Sequence, residues 1–232
     1  MQDIGFDIIS DLNLDPNESF NWENKRTSLY CIVAGNISPD TRTIKQVLAH
    51  LSTFYQGVFY VAGELEFHTS SSIPDRIKEL SDICDSIPGV CLMHQQVAVI
   101  NGIAVLGANG WSEAGKLTPT GMLVKNASRN DDIAYLTKSI AKLQRHLDIK
   151  NIVVVTNAVP RDDLYFGEAP TYDVGQTPLH ESLDVDTEHK VTHWVFGTYN
   201  KPSDTFIDTI NYVNNPYERR TTYWPKRITI SV

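Results

Sequence analysis

The chain has 232 residues, of which 41% are hydrophobic and 21% charged, and its formal net charge is −8. This composition is ordinary for a soluble protein with a substantial core, and the length suits one large α/β domain that spans residues 1–232. The acidity argues against a broad nucleic-acid surface, which would need clustered Lys and Arg.

The three cysteines are Cys31, Cys84 and Cys91, and no CxxC pair occurs. An odd count without such pairs argues against a disulfide framework or a zinc knuckle. Cys31 lies in an apolar run and is predicted to be buried. The N-terminus has neither the basic region nor the apolar stretch of a signal peptide, and no window reaches the roughly 18 apolar residues of a membrane span. We therefore expect a cytoplasmic protein without a membrane segment.

The first half of the chain alternates between apolar runs of strand length and helical periodicity. Helix 40–55 has Ile44, Val47, Leu48 and Leu51 at helical spacing, which predicts one buried face. In the polar loop 15–26, Trp22 is expected to fold back onto the body. The predicted elements are strand 4–10, strand 29–34, helix 40–55, strand 57–62 and helix 74–87.

The second half continues the alternation. Asn101-Gly102 is a strong hairpin signal between short strands within residues 90–106. Residues 107–129 are predicted to form a long, mostly polar loop, and Ser128 or Asn130 is expected to cap the next helix. The later elements are predicted as helix 131–147, strand 152–155, a short helix 178–183, and strands 193–196, 205–212 and 227–232. This order predicts a layered α/β domain with mixed sheets.

A polar turn follows each of five predicted strands. Ligands in such folds collect at the carboxyl ends of strands, so five such turns predict a pocket. Taken singly, each turn has a simpler explanation, because Asn, Gly and Thr are good turn residues. The turns are Asp11-Leu12-Asn13, Gly35-Asn36, Gly63-Glu64-Leu65-Glu66, Thr156-Asn157-Ala158-Val159-Pro160 and Gly197-Thr198-Tyr199-Asn200.

In order and spacing, these turns resemble the motifs of the calcineurin-like metallophosphoesterase family. That family has Asp-x-His, Gly-Asp, Gly-Asn-His-Glu, Thr-His-His-x-Pro and Gly-His-x-His, each after a strand. The resemblance covers almost the whole chain, since residues 99–107 with Trp111, the run 194–197, and Asn215-Pro216-Tyr217 are also similar to family landmarks. It implies an α/β/β/α sandwich of mixed sheets flanked by helices.

The resemblance implies a dinuclear metal centre, but this chain departs from the pattern at nearly every ligand. The family's metal-ligand positions are occupied here by Asp11, Asn13, Asn36, Glu64, Asn157, Thr198 and Asn200. Only Asp11 keeps the family's residue, and Leu65 stands where the family has its catalytic His. All seven histidines of the chain lie at other positions.

These departures predict that the metal site is lost. Imidazole suits zinc-, iron- and copper-type sites, and none remains at these positions. Two divalent cations about 4 Å apart repel each other, and the neutral carboxamide of Asn36 cannot replace a bridging anion. Leu65 can neither donate nor accept a proton. We therefore expect no cofactor and no catalytic residue.

An alternative is one hard divalent cation held by oxygen ligands. Such a Mg²⁺, Mn²⁺ or Ca²⁺ site would use Asp11, Asn36, Glu64 and Asn157, with Asn200 as a further oxygen ligand. The other interpretation of the same residues is a hydrogen-bonded polar pocket in which the Asn side chains satisfy backbone groups at the strand ends.

Four neighbouring residues extend the site hypothesis. His68 lies three residues after Leu65 and could replace the missing His, although a surface histidine is the simpler interpretation. In the family the residue at Glu66 orients that His, so here its role is predicted to be empty. Trp194 is predicted to lie in the core. Tyr199 is predicted to be exposed in a turn, where it could block the former metal cleft.

Three functions remain in competition. The first is a catalytically inactive protein-interaction or structural module with an unidentified protein partner, within a larger assembly such as a virion. The resemblance supports this, because the family includes a retromer subunit and the non-catalytic B subunits of replicative DNA polymerases. The second is a weak single-metal phosphoesterase acting on a phosphomonoester or phosphodiester. The third is nucleic-acid binding, which the net charge disfavours; its patch would be Arg219, Arg220, Tyr223, Trp224, Lys226 and Arg227.

Overall fold

A computed structural model describes residues 3–22, 25–68, 72–111, 119–165, 178–217 and 222–232, and describes the α3 side chains from residue 127 onward. The strands are β1 (Asp3–Ile9), β2 (Tyr30–Ala34), β3 (Gly57–Val61), β4 (Val90–Leu92), β5 (Gln96–Ile100), β6 (Ile103–Ala108), β7 (Asn151–Thr156), β8 (Val191–Val195), β9 (Ser203–Ile207), β10 (Ile210–Asn214) and β11 (Lys226–Ser231). The α-helices are α1 (Thr41–Ser52), α2 (Ile73–Asp85) and α3 (Pro119–Leu143). Short 3₁₀ segments lie at Leu65–Phe67, Asp162–Tyr165 and Leu179–Val185.

The strands form two mixed sheets. One has the order β11-β1-β2-β3-β4 and the other β5-β6-β7-β8-β10-β9. In the first sheet β1 to β4 run parallel while β11 is antiparallel to β1. In the second, β6, β7, β8 and β10 run parallel, with the antiparallel strands β5 and β9 at the two edges.

Three apolar clusters hold four layers together. Ile8, Ile32, Val105 and Val153 belong to the cluster shared by the two sheets. A second cluster joins the other face of the first sheet to α1 and α2, and a third joins the second sheet to α3 and the 3₁₀ segment Leu179–Val185. The predicted α/β/β/α sandwich of mixed sheets flanked by helices is therefore confirmed.

Several local predictions are also confirmed. Trp22 is fully buried, and its ring N–H donates to the Tyr55 hydroxyl at 2.7 Å. Cys31 and Trp194 are buried, and the turn at residues 101–102 joins β5 to β6 in an antiparallel hairpin. Asp40 caps α1 by accepting the Thr43 backbone N–H at 2.8 Å.

The start of α3 differs from the prediction. The helix begins at Pro119, within the residues predicted to form a loop, so neither Ser128 nor Asn130 is its cap. Apolar residues occur at regular helical spacing only after residue 130, so the sequence pattern did not predict the helical turns before it. Two buried polar residues instead anchor this helix to the rest of the molecule: Arg129 donates to the carbonyls of Gly110 and Trp111, and Asp132 accepts the Gly110 N–H. The helix ends at Leu143, and Leu147 is 86% exposed.

Two further predictions were wrong. The predicted strand 205–212 is a hairpin, because Asp208 and Thr209 have positive φ and turn the chain between β9 and β10. Tyr199 is not exposed: it is 4% exposed, and its hydroxyl donates to the Tyr165 carbonyl at 3.2 Å. Among the described helices, none has the length together with the apolar character that crossing a membrane would require.

Candidate functional site

The turns that follow β1 and β2 in one sheet meet the turns that follow β7 and β8 in the other. Asp11 N–H donates to the Gly35 carbonyl at 3.1 Å, which joins the first two turns. Gly197 N–H donates to the Asn157 carbonyl at 3.0 Å, which joins the last two. Thr198 N–H donates to Asp11 Oδ1 at 2.9 Å, which joins the two pairs, so the polar turns from both sheets converge at the carboxyl ends of their strands.

Two glycines allow these turns to approach one another closely. A β-carbon on Gly197 would lie 2.1 Å from the Ala34 carbonyl oxygen, which is shorter than real contacts allow. A β-carbon on Gly63 would lie 2.3 Å from the Asn36 nitrogen. No larger residue fits either position without moving the backbone, so the glycines fix how near the polar side chains come.

Four polar residues of the five turns have left-handed backbone conformations. The φ values are 52° at Asp11, 48° at Asn13, 57° at Asn36 and 57° at Thr198. Such a conformation is unusual for a β-branched residue such as Thr, and strained residues of this kind collect at functional sites. The unusual backbone conformations are therefore concentrated in the turns that carry the predicted site residues.

Asn36 is the centre of the side-chain network. Its Nδ2 donates to Asp11 Oδ1 at 2.8 Å and lies 3.4 Å from Thr198 Oγ1. Its Oδ1 accepts the Leu65 backbone N–H at 3.1 Å. If the amide were flipped, its N–H₂ group would face the Leu65 N–H, which is also a donor, and its oxygen would face the Asp11 carboxyl oxygen, which is also an acceptor. These two neighbours therefore fix the orientation of the amide.

Asn157 joins the same network from the second sheet. Its Oδ1 accepts the Thr198 hydroxyl at 2.9 Å and the Glu64 backbone N–H at 3.2 Å. Its Nδ2 donates to the Ala34 carbonyl at 3.2 Å. An amide oxygen has two lone pairs, so both are already used within the protein.

Asp11 is 2% exposed, and its two carboxyl oxygens differ in their hydrogen-bond partners. Oδ1 accepts from Asn36 Nδ2 and from the Thr198 backbone N–H at 2.9 Å, while Oδ2 is buried without a hydrogen-bond partner. Burial raises the pKa of the Asp11 carboxyl to about 7, against the opposing effect of the hydrogen bonds from Asn36 and Thr198.

The remaining predicted positions lie at different distances from this centre. Glu64 is buried at the end of β3, and Leu65 is half-buried and begins the 3₁₀ segment. Asn13 is exposed and donates to the Asp11 carbonyl at 3.1 Å. Asn200 and His68 are exposed. The structure thus brings Asp11, Asn36, Asn157 and Thr198 into direct contact and leaves Asn13 and Asn200 at the surface.

Glu66 was predicted to lack only the family's role of orienting a His, and the structure gives it a different role that was not predicted. Its carboxylate is fully buried and accepts the backbone N–H groups of Ile37 at 2.6 Å, Gly63 at 2.9 Å and Asn36 at 3.2 Å. Arg76 Nε donates to the Glu66 carbonyl at 2.7 Å from α2. The carboxylate therefore fixes the turns that carry Asn36 and Glu64, a role that the motif alone does not reveal.

Asn109 was also missed, because it lies in a stretch predicted only as a turn. Its Nδ2 donates to the Ala62 carbonyl at 2.6 Å, and its own carbonyl accepts the Asn157 N–H at 3.0 Å. It therefore bonds to the ends of β3 and β7, which belong to different sheets. An Asn directly after a buried strand, before Gly110 and Trp111, was the available signal.

These residues do not fit a dinuclear metal centre. Where the resemblance places the bridging carboxylate, Asn36 presents an N–H₂ group to Asp11, and a cation would meet a donor there. The carboxamide oxygens of Asn36 and Asn157 already accept backbone N–H groups. Within the described residues, no group of three or more His, Cys, Asp or Glu side chains could hold a metal ion.

Comparison with solved structures supports the fold assignment. Phosphopantetheinyl hydrolase (PptH) from Mycobacterium tuberculosis matches with a TM-score of 0.65 and 17% identity, over 97% of this chain and 96% of that one. A Staphylococcus aureus protein assigned as a 5′-nucleotidase matches with a TM-score of 0.60 and 13% identity, over 99% of this chain but 51% of that one. The chain has a metallophosphoesterase-type fold.

Two further proteins are similar to this chain, one in structure and one in sequence. GAP50, described as the anchor in the inner membrane complex of Plasmodium, matches with a TM-score of 0.54 and 10% identity, over 93% of this chain and 72% of that one. In sequence, the uncharacterised protein L509 of Acanthamoeba polyphaga mimivirus is 22% identical over 216 residues, covering 81% of this chain and 74% of L509. No protein-family model matches the chain.

Proposed function

We propose that this protein is a catalytically inactive member of the metallophosphoesterase-type fold that serves as a protein-interaction or structural module. The observation that carries the proposal is the Asn36 amide, whose N–H₂ group donates to Asp11 Oδ1 at 2.8 Å. The Asn36 N–H₂ group is a neutral hydrogen-bond donor that stabilises Asp11 Oδ1, as a cation would, without any metal.

The position of Leu65 supports the loss of chemistry. Its backbone N–H is bonded to Asn36 Oδ1, and its apolar side chain stands where the family resemblance expects a proton donor. General acid catalysis contributes typically 10²–10⁴-fold to a rate, and an aliphatic side chain contributes none of it. The described site therefore lacks both the ligand set and the leaving-group acid.

An exposed apolar surface supports the interaction role. The edge strand β5 has Val97 and Val99 at 37% and 57% exposure, and both line a groove with Tyr135 and Leu143 of α3. Exposed apolar groups that share a groove are typical of protein-binding surfaces. Because the relative L509 is a viral protein, a virion is one assembly in which such a module would act.

The proposal is tested by hydrolysis of p-nitrophenyl phosphate and bis-p-nitrophenyl phosphate with Mg²⁺, Mn²⁺, Zn²⁺, Fe²⁺ or Ca²⁺. We expect the same rate from the wild type and from Asp11→Ala, because Asp11 is the one family metal ligand that remains. Elemental analysis of protein purified without chelator should find no stoichiometric metal. Activity well above the Asp11→Ala control would overturn the proposal.

The interaction role has its own test. A partner captured by the wild type should be lost by Val99→Lys, which places a charge in the groove, and kept by the matched surface variant Gln46→Lys on the exposed face of α1. Equal capture by both variants would remove the β5 surface from the proposal.

A single-cation phosphoesterase is the second candidate, and one observation favours it. Asp11 Oδ2 is buried without a partner, and Glu64 supplies a second buried carboxyl group in the adjoining turn. Calorimetric titration with Mn²⁺ or Mg²⁺ would then show stoichiometric binding that Asp11→Ala and Glu64→Ala abolish. Absence of binding heat with the wild type would exclude this candidate.

A further inference from the structure

A second polar cavity lies at the opposite end of the first sheet from the candidate site. It has a volume of about 280 Å³ and is bounded by the beginning of β1, the chain before β2, and Arg227 of β11. Because β1 and β2 are parallel, their amino ends lie together here, while their carboxyl ends form the site described above. None of the metallophosphoesterase-like positions belongs to this cavity.

Two arginines in the cavity wall offer guanidinium N–H donors to a ligand. Arg227 Nη1 donates to the Thr27 carbonyl at 3.2 Å, and Arg26 Nη1 donates to the Phe54 carbonyl at 2.8 Å. Throughout the described part of the chain, no carboxylate forms an ion pair with either guanidinium. Each guanidinium has five N–H donors, so both keep donors for a ligand.

The floor of the cavity contains a hydroxyl group that lacks a bond. Ser28 is 8% exposed, and its Oγ is buried without a hydrogen-bond partner. Gly5 brings this hydroxyl close to Arg227, since a β-carbon on Gly5 would lie 2.7 Å from Ser28 Oγ and 3.1 Å from Arg227 Nε. An unsatisfied buried hydroxyl costs free energy that a hydrogen-bonding ligand would recover.

Two acidic residues limit which anion can bind. The Asp7 carboxylate, in β1 opposite Arg227, is already engaged by the backbone N–H groups of Thr27 and Ser28 at 2.7 and 3.2 Å and by the Tyr55 hydroxyl at 2.8 Å. Asp3 stands in the cavity wall and accepts the Ser231 hydroxyl at 2.7 Å. A dianion is attracted more strongly than a monoanion by the two arginines but is also repelled more strongly by these carboxylates, so selection rests on the paired N–H donors of the arginines.

We propose that this cavity binds a phosphate group, either as inorganic phosphate or carried on a small phosphomonoester. Arg presents paired donors that match phosphate oxygens, and Ser28 adds a hydroxyl donor at the floor. The volume is at the lower limit of small-molecule sites, which span about 300–1,000 Å³, so it suits a phosphate with a small attached group and excludes a dinucleotide.

Calorimetric titration of the full chain with inorganic phosphate at pH 7 tests the proposal. We expect one site, with Kd about tenfold higher or more in Arg227→Gln, because a charged hydrogen bond contributes about 1.5–3 kcal/mol. Ser28→Ala should raise Kd about threefold, and Asp3→Asn should lower it about two- to fivefold by removing a negative wall charge. The matched control is Arg42→Gln, which removes the same charge from an exposed position on α1.

One further variant and two further ligands complete the titration experiment. Arg26→Gln changes an exposed side chain, so it repeats the test even if Arg227→Gln fails to fold. Acetate should bind far more weakly than phosphate, and glycerol phosphate should compete with inorganic phosphate. Absence of phosphate binding, an equal loss in Arg42→Gln, or acetate binding as tight as phosphate binding would overturn the proposal.

Discussion

Glu66 and Asp11 are buried carboxyl groups that follow two strands of the same sheet, and their surroundings differ. Both Glu66 oxygens accept backbone N–H groups, from Asn36, Ile37 and Gly63. Asp11 has one bonded oxygen and one without a partner. Burial raises the pKa of both. The first is a structural carboxylate that builds the turns, and the second is buried with only one of its oxygens bonded.

The comparison separates two kinds of residue at the strand ends, those that hold the turns in place and those at the predicted ligand positions. The turns around the site need Glu66, because buried backbone N–H groups must be bonded whether or not a ligand is present. The side chains at the predicted ligand positions need only hydrogen-bond partners, and carboxamides can provide these for one another. The arrangement of the turns therefore does not depend on metal ligands at these positions.

The largest effect is expected when Glu66 is removed. Glu66→Ala leaves three buried backbone donors without their acceptor and should lower the free energy of unfolding by about 3–5 kcal/mol. Urea denaturation measures this, with Glu181→Ala as the control on an exposed glutamate. A loss below about 1 kcal/mol would show that the turns do not depend on this carboxylate.

The pH dependence of stability tests Asp11. Its pKa is about 7 in the folded protein against an ordinary value of 3.8, so between these values the folded state holds a proton that the unfolded state has released. Stability from this group is therefore present below pH 4 and falls as the pH rises through 7. Relative to Asp11→Asn, the wild type should lose about 2–4 kcal/mol between pH 4 and pH 8.

Urea denaturation in EDTA across that pH range provides the measurement, and the exposed Asp162→Asn serves as the control. If a bound cation instead keeps Asp11 ionised, Mn²⁺ in place of EDTA would reverse the slope, and the wild type would gain stability relative to Asp11→Asn as the pH rises. That result would favour the single-cation candidate over the inactive module.

Sequence reasoning recovered the sheets and the strand ends, because buried parallel strands are continuous apolar runs that end in polar turns. It missed the first turns of α3, because the apolar periodicity becomes regular only after residue 130. Farther along the helix, Arg129 and Asp132 anchor it through contacts distant in sequence. It identified Asn36 as a neutral residue in place of a carboxylate, but it did not predict which way the side-chain amide points. That direction depends on the Leu65 N–H, which a linear motif does not place.

Restoring one carboxylate should convert the network back towards a cation site. Asn36→Asp replaces the N–H₂ donor with a negative oxygen against Asp11, and should cost about 2–3 kcal/mol of stability without metal. Mn²⁺ should recover part of this loss in Asn36→Asp and leave the wild type unchanged. Thermal unfolding with and without Mn²⁺ measures both, and Asn200→Asp adds the same charge at an exposed position as the control.

The smallest effect concerns the hydroxyl that joins the turns after β7 and β8. Thr198→Val keeps the shape of the side chain, and a β-branched residue still occupies the left-handed backbone position. The change removes the hydrogen bond from Thr198 Oγ1 to Asn157 Oδ1, which is 2.9 Å long. Asn157 Oδ1 still accepts the Glu64 N–H, so we expect a loss of only about 1 kcal/mol in urea denaturation. Thr192→Val, on a half-buried threonine of β8 outside the site, is the control. A loss similar to that of Glu66→Ala would mean that the carboxamide network, and not the Glu66 carboxylate, holds the turns together.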